Sequence, residues 1–195
     1  MTGARRLSQA ISEGDGISII ALVGDVASAQ AAEEQGAEGL ALRATAPGVR
    51  ACELPILFRV DAPPETAHEA GADACLIVVE EHDDEEHLEE LHARASALGL
   101  EIVADVHDDE SIEASLERID PEIFLLSPRD AEDDEDDLDR ILDLLPDVPA
   151  GKLAIADLCA ATRDDVIALE RAGVDAVLVE TKKIADLVGG APPPV

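Results

Sequence analysis

Short apolar runs recur along the chain and alternate with polar segments. Eight runs are visible: Ile17–Val23, Gly39–Leu42, Ile56–Val60, Ala74–Val79, Ile102–Val106, Ile123–Leu126, Leu153–Ala156 and Ala176–Val179. They consist mainly of Val, Ile, Leu and Ala without strict apolar–polar alternation, which is typical of parallel strands covered on both faces. The polar segments between them are long enough for helices. The exception is 44–53, which contains Pro47 and Gly48 and predicts only a turn or a stub of helix.

Capping signals define the ends of the predicted helices. A glycine that would form a left-handed C-cap stands between a helix-like segment and an apolar run at four positions: Gly36, Gly71, Gly99 and Gly173. Thr162 with Asp165 three residues later predicts a helix N-terminus. The acids at 83–86 suit the first turn of another helix, where the helix dipole favours negative charge.

One order of residues occurs three times, as EEQGAEGLALR at 33–43, HEAGADACLIV at 68–78 and ERAGVDAVLVE at 170–180. A glycine ends the helix, an acid stands where the strand begins, and an apolar run follows. This is the helix-to-strand joint of a βα unit. Eight such units predict an α/β fold of the (βα)₈-barrel, or TIM-barrel, class. An open doubly wound sheet is the alternative.

The length predicts a small barrel. The chain has 195 residues, whereas barrels of this class typically have about 250. We expect one domain over 1–195. Its last segment, GGAPPPV at 189–195, is expected to be a disordered tail.

Composition restricts the partners and the compartment. The net charge of −31 argues against nucleic acid and against anionic membranes, because both require a basic surface. The acids are spread along the chain, which favours a surface adapted to high salt over an acidic tail or a metal sink. Three scattered cysteines, Cys52, Cys75 and Cys159, form no CxxC motif. Reduced thiols, together with the lack of a secretory signal or a membrane-length apolar run, predict a cytoplasmic protein.

Candidate chemistry lies at the carboxyl ends of the predicted strands, where barrel enzymes place their active sites. The residues at these ends that carry charge, polarity or conformational freedom are Gly24, Asp25, Arg43, Arg59, Asp61, Glu80, Glu81, Asp105, His107, Ser127, Arg129, Asp157, Cys159, Glu180, Lys182 and Lys183. No metal site is expected. His82, His87 and His92 are five residues apart and do not share a helix face, and the acidic run at 132–137 lacks the glycine and spacing of a calcium loop.

The sequence resembles the indole-3-glycerol phosphate synthase family of tryptophan biosynthesis. The matching stretches are LPILFRV at 54–60, EAGADACLIV at 69–78, LHARASALGLEIVADVHDDESI at 91–112, RAGVDAVLV at 171–179 and the Arg129–Asp130 pair. The resemblance implies a (βα)₈ barrel, truncated at its N-terminus relative to the family. It also implies a carbon–carbon lyase that closes an indole ring with loss of carbon dioxide. The family uses a lysine general acid, glutamates, an asparagine and a phosphate site, with no cofactor.

The family-equivalent catalytic positions are all substituted. Gly24 stands for the first lysine and Arg59 for the second, and an always-charged Arg is a poor proton donor near pH 7. Asp105 and Asp157 replace the glutamates of strands 5 and 7. Carried over by position, Arg59, Asp105 and Asp157 are the catalytic candidates.

The ligand-binding candidates are the polar residues around the same mouth, Arg43, Ser127, Arg129 and Lys182. Ser127 replaces an asparagine of the family. Glu180-Thr181-Lys182 replaces its phosphate turn, and a carboxylate there repels phosphate. The charged residues at this mouth have two interpretations. They form either an inert network of ion pairs that fills the barrel end or a pocket in which arginines bind a small anion.

Two functions remain open from the sequence. The first is a family relative that has lost the lyase activity and acts as a binding or regulatory module, through a protein partner or as a homo-oligomer. It predicts no formation of indole glycerol phosphate. The alternative is an active enzyme, either the family's synthase with replaced residues or another lyase or isomerase acting on a small phosphorylated anion. An open pocket of about 300–1,000 Å³ would favour the enzyme, and a mouth filled by Arg–carboxylate pairs would favour the binding module.

Overall fold

A closed barrel of eight parallel strands forms the centre of the protein. The computed structural model describes residues 5–14, 16–79, 85–128, 137–158 and 161–188. The strands follow one another in chain order, and the last pairs with the first. They are β1 Ser18–Val23, β2 Gly39–Leu42, β3 Ile56–Phe58, β4 Ala74–Val78, β5 Glu101–Val106, β6 Ile123–Leu126, β7 Leu153–Asp157 and β8 Ala176–Glu180. The predicted barrel is confirmed, and the open sheet was wrong.

Helices cover the outside of the barrel. They are α1 Arg6–Glu13, α2 Val26–Glu34, α3 Pro64–Glu69, α4 Glu85–Ala97, α5 Asp109–Arg118, α6 Asp137–Leu144, α7 Arg163–Ala172 and α8 Ile184–Val188. The connection from β2 to β3 contains the short 3₁₀ turn Val49–Ala51, as expected from its length. Thr162 caps α7 in a reciprocal box with Asp165, and this prediction is also confirmed. The disordered tail predicted at 189–195 lies outside the described residues.

In two of the three repeats, the acid ties the new strand to its neighbour through both its backbone and its side chain. The Asp73 N–H donates to the carbonyl of Ile56 over 2.8 Å, and the Asp73 carboxylate accepts from the N–H of that same residue over 2.9 Å. Asp175 makes the same pair of bonds with Ala154, at 3.0 and 2.8 Å. Backbone groups at the start of a strand need partners because the sheet ladder has not yet begun. The sequence repeats because the same requirement recurs at these joints.

Helix α1 closes the amino-terminal end of the barrel. Its Leu7 and Ile11 are buried among the inward-facing side chains of the strands. The N–H groups of Leu7 and Ser8 donate to the Glu101 carboxylate over 2.6 and 3.1 Å, which satisfies donors that a helix start leaves without partners. The opposite end, where the strands finish, is left for the chemistry.

Candidate active site

Three predicted site residues extend the inward-facing rows of alternate strands. Leu57, Val103 and Ile155 belong to the cluster inside the barrel. Side chains alternate along a strand, so the residues two positions further on also face the axis. They are Arg59, directly after β3, Asp105 in β5 and Asp157 at the end of β7. Alternate strands contribute to one layer of side chains in such barrels, and these three residues therefore share the carboxyl-terminal mouth.

Arg59 and Asp157 form a buried ion pair. The Arg59 Nη2 contacts the Asp157 Oδ2, and the two side chains are 16% and 6% exposed. Within the described part of the chain, the buried Asp157 Oδ1 accepts no hydrogen bond. Arg59 is thus held by a carboxylate whose second oxygen is buried and accepts no hydrogen bond from the described residues.

Asp105 in β5 and Ser127, directly after the neighbouring strand β6, form a second buried pair. The Ser127 hydroxyl donates to Asp105 Oδ1 over 2.5 Å, and the residues are 1% and 2% exposed. Ser127, predicted as a ligand-binding residue, therefore contacts the candidate catalytic carboxylate directly. A carboxylate buried with a hydroxyl partner is a group that can accept or deliver a proton in a site shielded from water.

His107 lies beside the start of α5. Its Nε2 is 3.3 Å from Asp108 Oδ2, and Asp108 caps the helix through Ser111. Burial raises the pKa of Asp108, but the hydrogen bonds from Ser111 and the charges of His107 and Arg140 outweigh it and hold the pKa below its usual value. This contact joins the His107 ring to the residue that caps α5.

A pocket of about 420 Å³ opens between the ends of β1, β2 and β8. Its lining residues are Leu22, Val23, Gly24, Arg43, Glu180, Thr181 and Lys182. Its volume lies within the range of small-molecule sites.

Cations surround the single carboxylate of this pocket. Lys182 Nζ lies 2.8 Å from Glu180 Oε2. The hydrogen bond and charge of Lys182, together with the charges of Lys183 and Arg43, hold the pKa of Glu180 below its usual value. The local excess of positive charge stands out in a chain with 14 Lys and Arg against 45 Asp and Glu.

A larger cavity lies at the other end of the barrel and is not the candidate site. It has about 480 Å³ and is lined by residues around the starts of β5 and β6, including His92, Glu101 and Glu122. Barrel enzymes carry their chemistry at the carboxyl ends of the strands, which favours the mouth pocket. In the described ranges, no three His, Cys, Asp or Glu side chains are grouped to hold a metal ion.

Sequence reasoning found most of these residues but not their contacts. Thr181 was missed as a site residue, although it lines the pocket and its hydroxyl donates to the Leu22 carbonyl over 2.7 Å. Its signal was its place between Glu180 and Lys182. Arg129, a predicted ligand-binding residue, lies outside the described residues, as do Glu80, Glu81, His82 and Cys159.

The fold and the mouth define a (βα)₈ barrel with a charged candidate site at the strand ends. The family model for indole-3-glycerol phosphate synthase matches residues 63–185, more than half of the chain. The protein therefore belongs to the indole-3-glycerol phosphate synthase family, as the resemblance predicted. An indole-3-glycerol phosphate synthase from Variovorax paradoxus (strain S110) is 36% identical over 132 residues, which cover 66% of this chain and 49% of that protein. The chain thus spans about half the length of this relative.

Solved structures of other enzymes share the fold. A mutant tryptophan synthase alpha-subunit from Pyrococcus furiosus is similar with a TM-score of 0.66 and 16% identity, over 90% of this chain and 98% of that one. The N-acetylmannosamine-6-phosphate 2-epimerase from Clostridium perfringens also gives a TM-score of 0.66, with 13% identity, over 85% and 86% of the two chains. At such low identity the likeness concerns the fold alone. No described helix is long and apolar enough to cross a membrane.

Proposed function

We propose that this protein is an enzyme of the family's own class, a carbon–carbon lyase acting on a small phosphorylated anion by decarboxylating ring closure. The observation that carries the proposal is the open pocket of about 420 Å³ lined by Arg43 and Lys182 at the carboxyl end of the barrel. A cationic pocket attracts an anion and raises its local concentration even where the protein as a whole is acidic. The relative that bears the synthase name supports the same reaction.

A buried carboxylate and an exposed lysine of the mouth are the candidates for roles in that reaction. Asp105, with the Ser127 hydroxyl 2.5 Å away, is our candidate for the group that takes a proton from the substrate. Lys182 is the pocket's ammonium donor and stands in for the lysine acid of the family. Its pKa is raised by the hydrogen bond from its ammonium to Glu180 and by the Glu180 charge, so Lys182 is charged at neutral pH and attracts the anion. To act as the proton donor it has to leave Glu180 and lose water when the substrate covers it, because desolvation lowers the pKa of a lysine.

A second candidate function is a non-catalytic binding module that acts with a protein partner or as a homo-oligomer. The observation that favours it is the Arg59–Asp157 pair, which already fills part of the mouth. Neither the family match nor the relative indicates lost activity, so this function ranks second. For either function we propose the cytoplasm, where the buried free thiols of Cys52 and Cys75 remain reduced.

Product formation by the purified full chain tests the proposal. We expect indole glycerol phosphate to form from the synthase substrate, and Lys182→Ala to lower the rate roughly 10²–10⁴-fold, the usual contribution of a general acid. Lys152→Ala is the matched control, because Lys152 pairs with Asp120 at the opposite end of the barrel. Absence of product at both low and molar salt would reject the enzyme and leave the binding module.

A further inference from the structure

One copy of the repeated joint, at 33–43, differs from the other two in its acid. Asp73 and Asp175 bind the N–H of the neighbouring strand through their carboxylates, whereas this copy carries the longer Glu38. The Glu38 N–H keeps the backbone bond of the joint, to the Ile19 carbonyl over 2.9 Å. Its carboxylate accepts no hydrogen bond from the described residues and forms no ion pair with them. The extra methylene therefore takes this carboxylate away from the joint.

The Glu38 carboxylate lies instead beside Gly14, in the connection between α1 and β1. The position that a Cβ at Gly14 would take is 2.9 Å from Ser18 Oγ and 3.2 Å from Glu38 Oε1. The Gly16 carbonyl oxygen is 3.5 Å from the same position. These are its three nearest neighbours outside Gly14 and the two adjoining residues, and all three are oxygens. We call this space the Gly14 notch.

Backbone conformation does not require a glycine at position 14. The φ of −64° and ψ of 147° at Gly14 are open to other residues. A side chain there would occupy the notch, and its Cβ would be closer to the Ser18 hydroxyl than Cβ atoms are in proteins. What the glycine provides is therefore the space between the oxygens.

The electrostatics of the notch favour a cation. Ser18 is fully buried, and its hydroxyl donates to the Ile11 carbonyl over 3.5 Å. A hydroxyl also has two lone pairs, and those of Ser18 accept no hydrogen bond from the described residues. A second carboxylate oxygen, Glu170 Oε1, lies 2.8 Å from the position that a Cβ at Gly16 would take. No described cationic side chain pairs with either glutamate, so negative charge collects at this connection.

We propose that the Gly14 notch binds a monovalent metal cation, sodium or potassium, through Glu38 Oε1, Ser18 Oγ and the Gly16 carbonyl oxygen. Hard cations take oxygen ligands, and one carboxylate with two neutral oxygens matches a single positive charge. Calcium takes about six to eight oxygens, commonly from several carboxylates. Asp15, next to both glycines, lies outside the described residues and is not counted as a ligand.

The ion joins three parts of the closed end of the barrel. Gly16 belongs to the connection that follows α1, Ser18 is the first residue of β1, and Glu38 directly precedes β2. A cation shared by these residues holds the end of α1 against the strands that this helix covers. The site lies at the amino-terminal end of the barrel and does not depend on the proposed activity.

Thermal melts of the full chain at one fixed ionic strength test the site, because a ligand that binds only the folded state raises Tm. Replacement of about 1 M tetramethylammonium chloride, whose cation is too large for the notch, by sodium or potassium chloride should raise the wild-type Tm by about 2–4 °C. General screening depends on ionic strength and is the same in all three salts. The larger of the two gains identifies the preferred ion.

Glu38→Asp removes a ligand without changing the net charge. The shorter carboxylate withdraws from the notch, so the difference in Tm between the salts should disappear. Glu34→Asp is the matched control, because Glu34 is exposed at the end of α2, and it should retain the full difference. Gly14→Ala fills the notch and should also abolish the difference, whereas Gly24→Ala, whose Cβ meets nothing within 4 Å, should retain it.

Two results would overturn the cation site. One is an equal wild-type Tm in the sodium, potassium and tetramethylammonium salts. The other is a difference between the salts that survives in both Glu38→Asp and Gly14→Ala. A gain of the same size from about 10 mM calcium chloride, likewise lost in Glu38→Asp, would overturn the assignment to a monovalent ion.

A measurement on the wild type keeps the test decisive if the variants do not fold. The backbone amide resonances of Gly14 and Gly16 should move saturably as sodium or potassium replaces tetramethylammonium at constant ionic strength, and that of Glu34 should stay in place. Glycine resonances that move no further than that of Glu34 would refute the site. The outcome is separable from that of the synthase assay, because the three ligands lie at the end of the barrel opposite the mouth.

Discussion

Buried aspartates at the two ends of the barrel have different partners, and the difference separates scaffold from site. At the closed end, Asp73 receives Arg6 at 3.0 Å, Arg50 at 3.1 Å and the N–H of Ile56. At the mouth, Asp157 contacts Arg59 and keeps a buried oxygen without a partner in the described chain. The Asp73 carboxylate thus has a full set of partners, whereas the Asp157 carboxylate has bonding capacity left over, which natural proteins seldom leave without a structural or functional reason.

Asp175 accepts a hydrogen bond from the Ala154 N–H and forms no ion pair with the described residues. Its carboxyl group leads to a prediction about stability and pH. Burial raises its pKa above the usual value, and the hydrogen bond from the Ala154 N–H only partly offsets this. A carboxyl group whose pKa is raised in the folded state contributes stability below its unfolded pKa, and this contribution is lost as pH rises through the folded pKa. At neutral pH the charge therefore costs stability.

Asp175→Asn should accordingly stabilise the fold at pH 7, because the amide oxygen can still accept the Ala154 N–H without a charge. We expect less than about 1 kcal/mol, or up to roughly 2–4 °C in Tm for a domain of this size. The gain should shrink as pH falls toward 4. Asp147→Asn, at an exposed residue near the same end, controls for the change in net charge. An Asp175→Asn variant no more stable than this control at pH 7 would contradict the argument.

The joint between helix and strand can be tested at one glycine. Gly173 ends α7 with φ at +100°, and an added Cβ would meet no atom within 4 Å. Gly173→Ala therefore introduces backbone strain alone, which costs about 1–2 kcal/mol for a left-handed residue. Gly24→Ala is the matched control for stability, since its Cβ also meets nothing within 4 Å and its φ lies outside the left-handed region.

Urea denaturation of both variants measures the difference in the free energy of unfolding. We expect Gly173→Ala to unfold at lower urea than the wild type, and Gly24→Ala to unfold at about the same concentration or slightly higher. If both variants lost the same free energy of unfolding, the left-handed backbone at Gly173 would not be the reason that this joint needs a glycine. The same reasoning applies to the other joint glycines, at which φ is also positive.

The elements were predictable because their signals are local. Every strand ends within two residues of its apolar run, and the joint glycines and the Thr162 cap take their expected roles. Contacts between distant residues were not predictable. The Arg59–Asp157 ion pair joins positions 98 residues apart, and only closure of the barrel sets β3 opposite β7. The sequence also did not predict that α1 closes the amino-terminal end of the barrel. The reason is the same, because Leu7 of this helix bonds to Glu101, 94 residues away.

At the scale of the whole molecule, acidic side chains greatly outnumber basic ones. The chain has 14 Lys and Arg against 45 Asp and Glu. Several of these cations occupy defined positions, with Arg6 and Arg50 on Asp73 at the closed end, and Arg59 and Lys182 at the mouth. Most acids therefore lack a nearby opposite charge of the chain's own, and they repel one another across the surface.

Salt should stabilise this fold by screening that repulsion. The screening length falls from about 10 Å at 0.1 M to about 3 Å at 1 M salt, which is shorter than most spacings between surface charges. A gain of about 2 kcal/mol would raise Tm by roughly 4–8 °C. Thermal melts in potassium chloride from 0.05 to 2 M measure the effect, and a Tm that falls or stays flat would reject the high-salt adaptation of the surface.

A charge variant identifies screening as the cause. Glu113 and Glu117 are exposed one turn apart on α5, where like charges destabilise a helix by about 0.2–0.5 kcal/mol. The double variant Glu113→Gln/Glu117→Gln should have a higher Tm than the wild type at low salt, because it lacks this repulsion. At molar salt the two Tm values should converge, because salt then screens the same repulsion in the wild type. If salt instead acted by strengthening apolar burial, the two curves would rise in parallel. The difference in Tm between variant and wild type therefore decides between the two causes. A difference that disappears at high salt indicates screening, and a constant one indicates stronger apolar burial.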